Sequence, residues 1–276
     1  MWNTENRKTL KNALGRIPEG FILDLDGCVY LENEPTKGAM ELIEYLRAKG
    51  KKIVFLTNNS SMRTSTILKN LSFMGIETHE DEIITPIACA GEFIHSHCGA
   101  SRVFHLGPPE TIPYIEEWGH RFTERPGDEC EVVLLSCDTT ITYEKLDHAV
   151  NFLQQGAALV VTNADPIRPG RNGEIRLETG AFLAALTSCV PAKPLLIGKP
   201  STYLFQKALK KLDLPKEAVI MIGDTPSTDI AGGKATGIRT VLINSGSHRE
   251  ALESAQPDFV FPDLQALLED MISDGV

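Results

Sequence analysis

The segment Phe21-Ile22-Leu23-Asp24-Leu25-Asp26-Gly27 constrains the fold of this chain more than any other. An apolar run of strand type ends in a carboxylate, a second carboxylate follows two positions later, and a glycine then lets the chain leave the sheet. A strand of this kind is predicted to lie in the middle of a sheet. Side chains alternate along an extended strand, so Asp24 and Asp26 share an orientation while the strand persists. Gly27 predicts that it is already curling away there, with the pair converging at the strand's carboxyl end. Two converging carboxylates repel unless a divalent cation lies between them, which points to Mg2+. A lone D-x-D is better explained by a solvated acidic turn, so the reading depends on what the rest of the chain supplies.

The chain after this segment alternates. Residues 38–49 carry Met40, Ile43 and Leu46 at helical spacing and end at Gly50, and 52–56 read as a strand running into Thr57-Asn58-Asn59-Ser60, a polar tetrad able to cap a helix over 64–74. A β-α-β-α order predicts a parallel sheet covered by helices, with ligands at the carboxyl ends of the strands and Thr57 near Asp24. From about 85 to 193 the alternation repeats without an acidic strand end of the first type. Strands are expected at 102–106, 131–135 and 157–161, and helices at 86–95, 111–118, 143–154 and 180–189. Pro86, Gly107-Pro108-Pro109 and Pro191-Ala192-Lys193-Pro194 punctuate this stretch, the last as a hinge. The final third returns to the first pattern, with a strand at 195–197, a helix at 201–212 and a strand at 218–222 running into Gly223-Asp224. A helix opening across 223–229 and ending at Gly237, strands at 239–243 and 259–261, and a helix over 263–272 complete it. The expected fold is α/β: a doubly wound parallel-sheet core from 1–84 and 195–276, with an α/β domain, 85–194, inserted into it.

Composition narrows the function. The 276 residues allow one large domain or two smaller ones, and 42% hydrophobic with 23% charged residues is ordinary for a globular protein. No segment approaches the roughly 18 consecutive apolar residues of a membrane span. The first eight residues lack the apolar core of an export signal, so a soluble, cytoplasmic protein without a membrane partner is expected. A net charge of −10 argues against binding nucleic acid, although a local site can still hold a small anion. The six cysteines (28, 89, 98, 130, 137, 189) form no C-x-x-C pair and are read as reduced core thiols. His95-Ser96-His97-Cys98 has metal-ligating residue types but no second ligand pair. Gly198-Lys199-Pro200-Ser201 is not a nucleotide-binding P-loop, because Lys193 stands where that loop needs glycine and Pro200 where it needs Ser or Thr. With no export signal, the glycosylation patterns at Asn58 and Asn59 are read as chance matches.

The strand ends thus offer Asp24, Asp26, Thr57, Lys199, Asp224 and Asp229. Singly, Thr57 reads as a cap, Lys199 as a surface cation, and Asp224 with Asp229 as acids favoured at a helix N-terminus. Together they supply what a Mg2+-dependent phosphoryl-transfer site needs: ion ligands, a nucleophile and donors for phosphate oxygens. In this order D-L-D-G, T-N-N-S, G-K-P and G-D-x-x-x-T-D resemble the four motifs of the haloacid dehalogenase (HAD) superfamily of phosphatases, whose core is Rossmann-like. The resemblance covers nearly the whole chain. An α/β insertion between the second and third motifs is similar to subclass IIA, which includes 4-nitrophenylphosphatases and the phosphatase of the N-acetylglucosamine operon.

The resemblance implies a phosphomonoester hydrolase acting on a small phosphorylated metabolite through an aspartyl phosphate. It implies Asp24 as nucleophile, Asp26 as general acid and base, and Mg2+ held by the carboxylates of Asp24 and Asp224 and the carbonyl of Asp26. Thr57, the Asn58 amide and Lys199 would hold the phosphate, Pro200 would fix the chain direction beside Lys199, and Asp229 would position metal waters or Lys199. Cys28 stands where relatives often carry Thr or Val, and a small thiol fits there. The insertion would act as a cap, and its loop Thr162-Asn163-Ala164-Asp165-Pro166 resembles a T-N-x-D segment of the subclass that faces the active site. Asn163 and Asp165 are therefore expected to select substrate, with Arg168 and Arg171 as anion contacts, against the simpler reading of a well-capped polar loop. Family members often form homodimers through the cap, though no surface pattern here argues it from residues. Other readings are a phosphotransferase or mutase, a signalling receiver domain and a non-catalytic phosphate-binding protein. A receiver is about half this length and is phosphorylated on a later strand, and the intact acids and lysine argue against lost turnover.

Overall fold

The computed structural model describes residues 10, 17–125, 127–169, 174–244 and 256–273. The chain divides into two compact units. One comprises Met1–Leu56, Asn70–Glu82 and Phe205–Val276, and the other Thr57–Lys69 and Ile83–Leu204.

In the first unit five strands lie side by side in the order Phe259–Phe261, Arg239–Ile243, Val219–Gly223, Gly20–Leu23 and Lys52–Leu56. All of these pairs are parallel. The Gly20–Leu23 and Val219–Gly223 strands are buried at every residue, as expected of central strands shielded on both faces. From Gly20–Leu23 the chain moves outward on one side to Lys52–Leu56 and later returns on the other side to Val219–Gly223. The order therefore reverses between two adjacent strands, which is the doubly wound arrangement, and the crevice at their carboxyl ends is where such sheets bind ligands. The helix Ala39–Ala48 buries Leu42, Ile43 and Leu46, with the charged residues on its other side. It ends at Lys49, and Gly50, at φ 65°, donates back to Arg47 O. The final helix, Leu264–Ile272, is capped by the Asp263 carboxylate, which accepts the Ala266 N–H at 2.8 Å.

The second unit has its own parallel sheet, in the order Leu195–Leu196, Ala158–Val161, Val132–Leu135, Arg102–Leu106 and Arg121–Phe122. Its core packs Phe104, Leu106, Val133 and Leu135 against Phe152 and Leu153 of the helix Tyr143–Gln154 and Leu186 of the helix Thr179–Cys189. Each such large side chain contributes about 1.5–3 kcal/mol by leaving water, enough for the unit to hold a core of its own.

Several local expectations are corrected. The expected helix at 86–95 begins only at Ala90 and runs to Cys98, because Pro86–Cys89 form a turn closed by the Thr85 hydroxyl on the Ala88 N–H. The 111–118 helix shortens to Pro113–Glu116, preceded by a 3-10 turn over Pro109–Thr111. The segment Pro226–Ile230 winds as a π turn before the α-helix Ala231–Thr236. Two antiparallel ribbons, Tyr30–Leu31 with Glu34–Pro35 and Ile167–Pro169 with Ile175–Leu177, were not anticipated. All six cysteines are reduced thiols, but Cys98 and Cys189 close helices at the surface and are not core residues. Among the described residues no helix is long and apolar enough to cross a membrane.

Candidate active site

The first strand stops one residue short of Asp24, whose N–H is taken by Ile222 O of the neighbouring strand at 2.9 Å. That neighbour runs directly into Asp224, so the two acids stand at the carboxyl ends of the strands between which the sheet order reverses. Asp229 returns to the same place by the π turn. Its N–H bonds to Thr225 O at 2.9 Å and its carboxylate accepts the Thr225 N–H at 3.0 Å. Asp24, Asp224 and Asp229 each present an oxygen within 4.8 Å of the others, with Asp24 5% exposed and Asp229 fully buried.

Two glycines make this approach sterically feasible. A Cβ on Gly27, at φ +93°, would collide with the Asp224 carboxylate, and one on Gly223 would collide with Asp229. Three like charges this close, largely removed from water, repel strongly without a counter-charge. The donor set, hard carboxylate oxygens without thiol or imidazole, fits Mg2+.

Asp26 is not one of the three. The chain curls after Leu25, whose carbonyl accepts the N–H groups of Cys28, Val29 and Tyr30, and the Asp26 side chain is exposed. The Tyr30 phenol donates to the Asp26 carboxylate. Burial first, then the charge of Asp26, that hydrogen bond and the charge of Asp24 hold the phenol pKa far above its ordinary value, so it stays a donor.

The second unit carries the other motif residues. Thr57 is buried, and its hydroxyl accepts the Asn59 N–H at 3.0 Å. The Asn58 side chain meets the backbone of Lys199 twice. Its Oδ1 accepts the Lys199 N–H at 2.8 Å, and its Nδ2 donates to Lys199 O at 3.0 Å. The second Nδ2 proton goes to Asp165 Oδ2 at 2.9 Å. Asn163, only 2% exposed, donates to the same Asp165 oxygen at 3.2 Å and to Glu178 Oε2 at 3.4 Å, and its Oδ1 accepts the Ser60 hydroxyl at 3.1 Å. Ser60 in turn accepts the Cys137 N–H at 3.0 Å. Lys199 is 2% exposed, and its bond to Pro200 is cis.

Arg168 Nε lies 3.0 Å from Glu178 Oε1, an ion pair without hydrogen-bond geometry, and Arg171 falls outside the described residues. Burial and then the charge of Glu178 push the Cys137 thiol up to about 12, so it is not a nucleophile.

Family comparison agrees with this geometry. A family model described as haloacid dehalogenase-like hydrolase matches residues 21–121, and one described as HAD-hydrolase-like matches 196–267. The sugar-phosphatase AraL of Bacillus subtilis is 31% identical over 249 residues, covering 90% of this chain and 91% of that one. The chain belongs to the haloacid dehalogenase-like hydrolases. Like its relatives, this HAD-like hydrolase is an enzyme of the phosphatase class acting on small phosphate substrates. An acid sugar phosphatase of Staphylococcus saprophyticus is 30% identical, covering 92% of this chain and 98% of that one. The solved 4-nitrophenylphosphatase of Thermotoga maritima superposes with a TM-score of 0.84 at 34% identity, covering 94% of this chain and 98% of that one.

Some parts of this HAD-like site carry no sequence signal. The next helix, Thr64–Phe73, starts four residues beyond the tetrad that ends at Ser60. Its Thr64 N–H is accepted by the Tyr114 hydroxyl, at 2.9 Å and fifty residues away. Ser60, Glu178 and Tyr30 were likewise not anticipated; for Tyr30, its place four residues beyond Asp26 in a tight turn was the available clue. The His95–Cys98 segment holds no metal set. His97 stacks on Phe93 at 4.0 Å, and the described residues offer one group of three or more metal-ligating side chains, the aspartates above.

Proposed function

We propose that this hydrolase cleaves phosphomonoesters of small metabolites, sugar phosphates first among them, in two steps through an aspartyl phosphate on Asp24. The acidic cluster at the strand switch carries the reading. The resemblance of the motifs assigns the roles, with 1–84 and 195–276 as catalytic core and 85–194 as cap.

The Asp24 carboxylate attacks phosphorus while the bond to the leaving oxygen breaks, and Asp26 gives that oxygen its proton. Asp26 then takes a proton from water as the water attacks the same phosphorus, releasing inorganic phosphate and restoring the Asp24 carboxylate. Tyr30, donating to Asp26, keeps that carboxyl oriented through both transfers. Thr57, the Asn58 backbone amide and Lys199 hold the phosphate oxygens. Asp24, Asp224 and the carbonyl of Asp26 would hold Mg2+, which when bound supplies positive charge against the phosphoryl oxygens. Asp229 fixes the Thr225 turn and with it Asp224. The sugar-phosphatase names of the relatives support the substrate class, and six reduced thiols support a reducing, cytoplasmic setting.

The test is phosphate release from 4-nitrophenyl phosphate and a panel of sugar, nucleotide and glycolyl phosphates, with Mg2+ or EDTA, for wild type and Asp24→Asn. Turnover should require the metal, be greatest on a sugar phosphate and fall by at least about 10³-fold in the variant. An Asp24→Asn enzyme as active as wild type would refute the assignment.

A further inference from the structure

We infer that the Asn58 side chain, oriented by Asp165, is the device that positions Lys199, and that Asp165 acts on catalysis through this clamp. The inference rests on the phosphate-holding role proposed for Lys199. The T-N-N-S motif implies a use for the backbone amide of Asn58, and the T-N-x-D loop implies substrate contact by Asp165. The geometry gives both side chains another task. An amide side chain has one carbonyl oxygen and two N–H donors. In Asn58 the oxygen takes the Lys199 N–H, one proton goes to the Lys199 carbonyl and the other to Asp165. The peptide groups on both sides of the Lys199 Cα are thereby gripped by a single side chain 141 residues away in sequence.

Three further observations make this a built arrangement. Gly198 admits the clamp, since a Cβ there would lie 2.7 Å from Asn58 Oδ1 and would strike Thr162 O, the acceptor of the Gly198 N–H at 2.8 Å. Asp165 is itself held. Its Oδ2 accepts from Asn163 as well as Asn58, and its backbone carbonyl accepts the Gly180 N–H at 2.8 Å at the start of the helix Thr179–Cys189. The amide cannot turn over, because a flip would set its carbonyl oxygen against both the Asp165 carboxylate and the Lys199 carbonyl. A lysine has four rotatable side-chain bonds, so fixing its Cα removes the largest error in where the ammonium arrives.

The test uses the full-length protein with Mg2+ and four variants: Asn58→Asp, Asp165→Asn, the double Asn58→Asp/Asp165→Asn, and Lys199→Ala. The readouts are the Kd of inorganic phosphate by calorimetry, kcat and KM on 4-nitrophenyl phosphate, and the melting temperature. Asn58→Asp turns a donor into a second carboxylate facing Asp165, and should weaken phosphate binding and kcat by about 10- to 100-fold. Asp165→Asn should cost about tenfold by loosening the amide. The double variant restores a donor between residues 58 and 165 but not the one to Lys199 O, so it should recover part of the phosphate affinity lost in Asn58→Asp, an outcome a purely structural role would not produce at equal melting temperature. If the double is no better than Asn58→Asp, or Asn58→Asp binds phosphate like wild type while Lys199→Ala does not, the clamp is overturned. If Lys199→Ala binds phosphate like wild type, the role of Lys199 itself is wrong.

Discussion

The two polar clusters of this molecule are built on opposite principles. At the strand switch of the first unit, three carboxylates crowd within 4.8 Å, and glycines at 27 and 223 leave out side chains that would strike Asp224 and Asp229. In the second unit, the Asn58–Asp165–Asn163–Ser60 network alternates donors with acceptors, so that every amide proton has a named partner. The first cluster gathers like charge in one place, and the second sets each amide donor against an acceptor. Low dielectric strengthens both, as repulsion in one and as hydrogen bonding in the other. Carboxylates drawn this close suit a cation, whereas a network of matched donors and acceptors suits a rigid frame.

The comparison breaks most visibly at Asp224. If the acidic cluster is a cation site, Mg2+ at about a thousand times its Kd should stabilise the wild-type protein by about 4 kcal/mol. Asp224→Asn should abolish that gain, raise the metal-free melting temperature by relieving repulsion, and lower turnover by about 10³-fold or more. Differential scanning calorimetry with and without EDTA reads the first two effects; a metal-independent melting curve in the wild type would end the contrast.

The second unit should respond to acid. Burial, helped by Lys145 and opposed by Asp138, lowers the His105 pKa from 6.5 to about 4, and the ring faces the Ser136 hydroxyl at 3.2 Å. The folded form therefore binds fewer protons than the unfolded chain between these values. The stability from the neutral ring is fully present above pH 6.5 and is lost as pH falls toward 4. Allowing for partial solvent access, the loss should reach about 2 kcal/mol. Hydrogen exchange of the Val132–Leu135 amides between pH 7 and 4.5 measures it, and His105→Gln, which keeps a polar contact without titrating, should flatten the slope. An equal slope in the variant would place the sensitivity elsewhere.

The smallest effect is expected at Tyr30. Tyr30→Phe removes the donor to Asp26 and should lower kcat/KM, which reads the first transfer alone, by about tenfold, roughly 1.4 kcal/mol, for alkyl and sugar phosphates while leaving that of 4-nitrophenyl phosphate nearly unchanged, because its leaving group needs little protonation. Equal slowing of both substrates would mean that Tyr30 merely supports the turn.

The features legible in the sequence were those set by local pattern. Apolar runs ending in Asp24 and Asp224 announced central strands with acids at their ends, and the helix Tyr143–Gln154 and the strands Arg102–Leu106 and Arg239–Ile243 stand where periodicity put them. The ribbon Ile167–Pro169 with Ile175–Leu177 was not legible, because three-residue strands with Ile167, Ile175 and Leu177 exposed carry no burial alternation. The π turn at Pro226–Ile230 escaped for a different reason: its sequence is that of an ordinary helix start, and the wider winding shows in the Ala231 N–H, which bonds to Pro226 O five residues back. The second cluster was legible as residues but not as contacts. Asn58, Asn163 and Asp165 could be singled out, yet a partner 107 or 141 positions away is chosen by tertiary packing.

The tetrad Thr57–Ser60 has a consequence for mutational tolerance. Thr57 and Asn59 each close a turn with their side chains, Asn58 grips Lys199, and Ser60 links Asn163 to Cys137. Four consecutive side chains thus answer to four different sets of neighbours, so a substitution that suits one leaves the other three no better adapted. In a library randomised over positions 57–63, functional clones should show almost no diversity in the first four codons and recover it by exposed Arg63.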